Sequence, residues 1–365
     1  MATVNKGILI LTPFYYPNIG GVETHLTDLT TELSKTYKVF VHTYSPITTI
    51  NVSYKKFEKQ NNLEIYRYPW FGKSLFHKLE KYPLFDFLYL TPYLFIRTFI
   101  WMLSNHKKIN TIHSHGFNGA FCGLLLSKIF HKTHLVSTHA IYDNINTSFV
   151  LKYTLNNSNH ILCLSKASAK QLIKWGIDKN IISIYKHWLN LNIFKPIQKK
   201  ETKFSVLFVG RLIDKKGIKI LVKTAKLLPK IQFIFIGTGP LTNYLKNLNI
   251  KNILFLGQIK NDILPKYYSK YHIFCAPSLY EEGYGRTVME AIACGTPVIA
   301  SNRGGLPEAL NSSVAILIKP TTTTTLKKAI IEMQKNYNKY QKNCRHYALL
   351  NFSKKNLSLI TSFYK

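Results

Sequence analysis

Short apolar runs rich in β-branched residues recur along this chain, separated by stretches of helix length. That alternation restricts the fold more than any other feature. Gly7–Leu11, Lys38–Thr43, Thr133–Ser137 and Asn159–Leu164 are such runs. A short run that is apolar throughout suits a strand buried on both faces, and strands alternating with helices build a parallel sheet wrapped by helices. The pattern stops at Ile193–Lys203, which carries Lys and Pro but little apolar periodicity, and restarts at Phe204–Gly210. Phe233–Gly237, Ile253–Gly257, His272–Ala276 and Val298–Ser301 follow, each ahead of a glycine, proline or serine turn. The expected fold class is α/β with two Rossmann-like, doubly wound parallel-sheet domains, residues 1–195 and 196–349. The 365 residues suffice for each domain to bury its own core. Such sheets hold ligands outside the carboxyl ends of their strands, so the chemistry should lie in strand-following loops.

Charge narrows the partners. The chain has 49 Lys and Arg against 17 Asp and Glu, a formal net charge of +32. Phosphorylated substrates, an anionic membrane surface and nucleic acid would all gain from a basic face, although a composition rich in Lys, Asn, Ile and Tyr also raises the count. No recognisable nucleic-acid module with clustered basic and aromatic residues is visible, so nucleic acid is not an expected partner. Cys122, Cys163, Cys275, Cys294 and Cys344 are odd in number and widely spaced. They read as buried free thiols in a reducing compartment, hence a cytoplasmic location. Gly7–Leu11 is too short for a signal-peptide core and reads as a first strand.

Three segments carry chemistry. Tyr280–Glu308 holds Glu282 and Glu290, with Gly283-Tyr284-Gly285 leading into a helix from Arg286. Glycines before a helix N-terminus make an anion site, and Glu290, one turn inside, could accept hydrogen bonds from ligand hydroxyls; a surface Glu beside a turn is the plainer alternative. Gly210-Arg211 ends a strand, and Lys215, Lys216 and Gly217 precede an apolar helix. Arg and Lys there suit a diphosphate, against the alternative of a solvated basic loop. Gly20 and Gly21, in Asn18–Glu23 after the first strand, allow close backbone approach to a ligand or simply make a tight turn. No Asp-x-Asp occurs among the aspartates and no His or Cys cluster has ligand spacing, so neither metal nor cofactor is expected.

In this order and spacing the segments resemble the family 4 retaining glycosyltransferases of the GT-B fold, also called group 1. Glu282 and Glu290 match that family's paired-Glu signature, GRLIDKKG its diphosphate segment, and GGVETH the glycine loop of its first domain. The resemblance implies two domains facing each other across a cleft, the first for the acceptor and the second for a UDP- or GDP-sugar donor. The last segment, 350–365, would cross back onto the first domain. It implies that Arg211 and Lys216 hold the diphosphate, Glu290 the ribose and Glu282 the donor sugar. It further implies that the backbone of Gly283, Tyr284, Gly285, Arg286 and Thr287 meets the distal phosphate and sugar, and that Gly20 and Gly21 close the site. His139 would contact the sugar, and Ile259 would lie near the base; His113 and His115 read better as structural. His187-Trp188-Leu189-Asn190 departs from the family's usual Asn-Gly-Val-Asp, which makes acceptor recognition less transferable. A catalytically silent partner subunit that binds membrane or protein is the alternative, and the full set of Arg211, Lys216, Glu282 and Glu290 argues against it.

Between Tyr66 and Trp101 fall 13 of the chain's 49 aromatic residues. Interleaved with Lys73, Lys78, Lys81 and Arg97, they suit a face lying among anionic headgroups. The uncharged run Phe87–Ile96 contains Pro92 and ends at Arg97, too short for a spanning helix. The expectation is peripheral membrane binding that brings a lipid-linked or glycan acceptor to the site.

Overall fold

The computed structural model describes residues 7–49, 52–72, 75–79, 82–139 and 149–364; Lys73 and Lys81 lie outside them. The chain divides into two compact units. The first comprises 1–164, 169–185 and 357–365, and the second 165–168 and 186–356.

In the first unit β1 (Gly7–Leu11), β2 (Lys38–Tyr44), β3 (Phe57–Gln60), β4 (Leu63–Tyr68), β5 (Thr111–His115), β6 (Thr133–Thr138), β7 (His160–Cys163) and β8 (Ile182–Ile184) form one sheet. Its order is β3-β4-β2-β1-β5-β6-β7-β8. All pairs are parallel except the edge hairpin of β3 and β4. All five residues of β1 are buried, which is why its sequence is apolar without alternation. The chain runs outward from β1 to β2 and β4, then returns to β5 on the other side of β1. Loops after β1 and β5 therefore open at a topological switch point.

The second unit repeats this plan with β9 (Ser205–Val209), β10 (Gln232–Ile236), β11 (Ile253–Phe255), β12 (Ile273–Ala276), β13 (Val298–Ser301) and β14 (Ala315–Ile318). The order is β11-β10-β9-β12-β13-β14, parallel throughout. Here the switch point lies between β9 and β12.

Two expectations change. The main run of the second unit begins at Lys186, upstream of the expected 196, because the intervening residues pack with it. The Arg345 guanidinium donates to the carbonyls of Leu191 (2.9 Å), Phe194 (2.7 Å) and Ala293 (3.1 Å), and Trp188, Leu189 and Phe194 are buried. Of the final segment only Leu357–Lys365 belongs to the first unit, where Tyr364 Oη meets His113 Nδ1 at 2.8 Å and Phe363 stacks on His160.

The second change concerns the aromatic segment. Helices Pro83–Leu90 and Pro92–Asn105 are separated only by Thr91 and continue into a turn at His106–Lys108. Proline at a first helical position costs no hydrogen bond. Leu84–Lys108 is thus one helical stretch of 25 residues containing an 18-residue window of mean hydropathy 1.3, long and apolar enough by length and composition to cross a membrane, contrary to the sequence expectation. Arg97 does not interrupt it, because its guanidinium lies over the rings of Tyr68 (5.1 Å) and Tyr93 (6.0 Å). Leu90, Leu94 and Met102 pack into the unit's own core with Leu9, Phe40 and Ile112.

Candidate active site

In the second unit the loops after β9 and β12 touch. Gly217 has φ 73°, and a Cβ there would sit 2.0 Å from the Pro277 carbonyl oxygen, so only glycine lets the loops meet. Leu279 N donates to Lys215 O at 2.7 Å across the same seam. This contact sets Lys216 Nζ 2.6 Å from Glu282 Oε1. Ser278 Oγ donates to the same oxygen, and the ammonium stands 5.3 Å from the Tyr280 ring centroid. Burial works against charge on Lys216, but the Glu282 carboxylate and Tyr280 outweigh it and hold the ammonium up at about 12. A permanently charged, positioned cation results at the switch point. Sequence reasoning missed Ser278 and Tyr280. The available signal was their place, four and two residues before Glu282 in a loop that follows a strand.

Gly285 enters the helix Arg286–Ala293 with φ 79°, and a Cβ would lie 2.4 Å from Leu306 Cδ2. Among the described residues no side chain caps this helix. Its first-turn N–H groups, at Arg286 and Thr287, form the positive end of a dipole next to the Lys216–Glu282 pair in sequence and fold. Tyr284 is buried, with His187 stacked at 6.1 Å. Arg211 is exposed on the loop after β9, and Ile259 is half-buried on the loop after β11, both at the carboxyl end of the sheet.

Glu290, expected to accept hydrogen bonds from ligand hydroxyls, has side-chain partners within the fold. It is 2% exposed. Its Oε1 accepts from Arg286 Nε at 2.9 Å and its Oε2 from Tyr268 Oη at 2.9 Å. Four residues apart on one helix, Glu290 and Arg286 share a face, and the fold turns that face inward. Any ligand hydroxyl that reaches Glu290 must join a pair already satisfied.

In the first unit, after β1, Gly20 precedes and Gly21 opens the helix Gly21–Leu33. Neither has a positive φ, so the pair contributes small size and not a special backbone conformation. His139 follows β6. Its Nε2 lies 2.8 Å from His115 Nδ1 with the rings stacked, and His25 is edge-on at 5.5 Å. Burial pushes His139 down to about 4 and His115 well below its ordinary value, so both are neutral at pH 7. Among the described residues His115 Nε2, which is buried, has no hydrogen-bond partner. A buried acceptor tolerates that better than a buried N–H. With its proton on Nδ1, His115 donates to His139 Nε2, and His139 then carries its own proton on Nδ1. His115 thus orients His139, while His113, between Tyr364 and Ser137 at 2.8 Å each, is structural.

Residues 19–187 match the family model described as Glycosyltransferase Family 4, and residues 190–350 the model described as Glycosyl transferases group 1. The phosphatidylinositol N-acetylglucosaminyltransferase gpi3 subunit of Schizosaccharomyces pombe is 25% identical over 331 residues, 85% of this chain and 69% of that protein. Among solved structures, sucrose-phosphate synthase from Thermosynechococcus elongatus superposes with TM-score 0.79 at 21% identity, covering 98% of this chain and 97% of that one. Anabaena HepE in complex with UDP gives TM-score 0.76 at 19% identity, covering 98% of each chain. These likenesses show the fold, GT-B. With both halves of the chain matched and the paired glutamates on the loop and helix that follow β12, this protein belongs to the group 1, family 4 glycosyltransferases.

Proposed function

We propose that the protein is a retaining, metal-independent transferase that moves a sugar from a nucleoside diphosphate, UDP before GDP, to a lipid-borne acceptor at the cytoplasmic face of a membrane. The observation that carries this reading is the Lys216–Glu282 pair with Ser278 and Tyr280, held beside an uncapped helix N-terminus at a sheet switch point. Lys216 and Arg211 bind the diphosphate and stabilise its charge as it leaves, the electrostatic work a divalent ion does elsewhere. Glu282 exchanges its lysine for a sugar hydroxyl when phosphate takes the ammonium. Backbone N–H groups from Gly283 to Thr287 meet the distal phosphate, Glu290 meets the ribose through its Arg286 pair, and Ile259 lies by the base. The first unit receives the acceptor at the loops that carry Gly20, Gly21 and His139. The bond from the anomeric carbon to the phosphate oxygen breaks, the acceptor oxygen bonds to that carbon on the same face, and the acceptor's proton passes to the departing diphosphate.

UDP is supported by the HepE complex, and a lipid acceptor by the relative named for phosphatidylinositol. A thermal-shift panel of UDP- and GDP-sugars, with and without EDTA, tests the donor. At about a hundred times its dissociation constant the right donor stabilises the protein by about 2.7 kcal/mol. A panel with no shift, or a shift that vanishes with EDTA and returns with a divalent ion, refutes the corresponding part.

A further inference from the structure

Along the helical stretch Leu84–Lys108, exposed apolar residues recur at helical spacing: Leu84, Leu88, Pro92, Ile96, Ile100 and Leu103. Of these the leucines and isoleucines are 50% to 67% exposed. At 1.5 Å per residue the stripe is about 30 Å long. The opposite side, with Leu90, Leu94 and Met102, is fixed in the core of the first unit, so the helix cannot leave to span a bilayer without dismantling that core. Its two internal charges stay off the stripe: Asp86 is bonded to Asn118, and Arg97 lies on Tyr68 and Tyr93.

Charge decides what covers the stripe. Between residues 84 and 132 the only acid is Asp86, against Arg97, Lys107, Lys108, Lys128 and Lys132. Phe130 packs on Phe99 (5.8 Å) and His106 (5.4 Å), which brings Lys128, the exposed Ile129 and Lys132 to the same end as Lys107 and Lys108. A second copy would bring another +32 against this rim, whereas lipid phosphates complement it. Elsewhere in the aromatic segment Trp70 and Phe76 are partly buried against the core: Trp70 stacks on Tyr93 at 4.6 Å and Phe76 meets Phe14 edge-on at 4.6 Å.

We propose that the stripe from Leu84 to Leu103 lies in the plane of an anionic lipid monolayer, its apolar side chains among the acyl chains and Lys107, Lys108, Lys128 and Lys132 among the phosphates. This deepens the reading of a lipid-borne acceptor and rests on it.

The test sediments the full-length chain with phosphatidylcholine vesicles, with and without phosphatidylglycerol, at low and high salt. Two variants accompany it: Leu88→Gln/Ile96→Gln/Ile100→Gln, which keeps helix propensity, and Lys107→Gln/Lys108→Gln/Lys128→Gln. Wild type should pellet with the anionic vesicles. The apolar variant should bind at least about tenfold more weakly, and each lost lysine should cost about fivefold at low salt and little at high salt. Equal sedimentation of wild type and both variants overturns the proposal. So does a pellet that resists alkaline carbonate, which means spanning, or a wild-type dimer that the apolar variant converts to monomer without vesicle binding by either. The lysine variant is a surface change and keeps the test usable if the apolar one misfolds. A nucleotide-sugar thermal shift on the same samples separates the two readings. Failed vesicle binding with the shift intact rejects only the membrane face, and a missing shift in wild type rejects the donor assignment.

Discussion

Glu290→Ala should damage stability before it damages donor recognition. The Arg286 and Glu290 side chains are 6% and 3% exposed, 2.9 Å apart, and Tyr268 Oη bonds the second carboxylate oxygen at 2.9 Å. Truncation removes the buried guanidinium's counter-charge and the acceptor of a buried phenol. Breaking a buried pair from one side costs about 3–5 kcal/mol. A domain of this size shifts by about 2–4 °C per kcal/mol, so the melting temperature should fall by about 6–20 °C. Replacing both partners by apolar side chains of similar volume, Arg286→Met with Glu290→Leu, should recover much of that loss, because no buried charge is then left without its counter-charge. Calorimetric melting of wild type, both single variants and the double variant measures the coupling. If Glu290→Ala melts within about 2 °C of wild type, or the double variant is worse than the sum of the singles, the account of Glu290 as a buried structural carboxylate fails. Donor affinity is then best read in Glu290→Gln, which keeps the shape and one acceptor oxygen.

Lys216→Met should lower kcat by two to three orders of magnitude or about 2.7–4 kcal/mol, as loss of a transition-state charge does, with Glu282→Gln milder; steady-state kinetics on the donor that the thermal-shift panel identifies would refute this by showing a KM effect alone. His115→Phe should lower kcat through misorientation of His139, and His115→Asn, which restores a donor, should rescue it in part; an unchanged imidazole 15N spectrum of His139 in His115→Phe would reject the tautomer argument. Acid should unfold the first unit early. Burial pushes His42, His113 and His134 to about 3 and His139 to about 4, so the unfolded chain binds more protons below about 6.5. Stability is then full above that pH and falls toward pH 4 by up to about 1.4 kcal/mol per pH unit per histidine. Hydrogen exchange between pH 7 and 5 should show protection lost first in the first unit, and flat protection there would contradict the burial argument.

The sheet strands were legible because parallel strands buried on both faces must be continuously apolar. Gly7–Leu11, Phe233–Gly237 and Val298–Ser301 all lie at strands in the structure. The antiparallel pair β3 and β4 was not legible, since an edge hairpin with charged Glu58, Lys59, Glu64 and Arg67 carries no such run. The chemistry-bearing residues were legible as types at spacings. Glycines that only a positive φ or a close approach explains, and cations after strands, mark a ligand crevice wherever the strands are placed. Their partners were not legible. That Glu282 faces Lys216 while Glu290 turns inward to Arg286 depends on which side of a helix the sheet covers, and sequence periodicity does not assign that side to ligand or to core. The same holds for the aromatic segment. Its composition announced an interface, but only packing decided that Trp70 and Phe76 lean on the core and that the stripe from Leu84 to Leu103 faces out. Local sequence sets which backbone shapes and charges are present, whereas burial, a property of the whole packed unit, decides which of them remain available to a ligand.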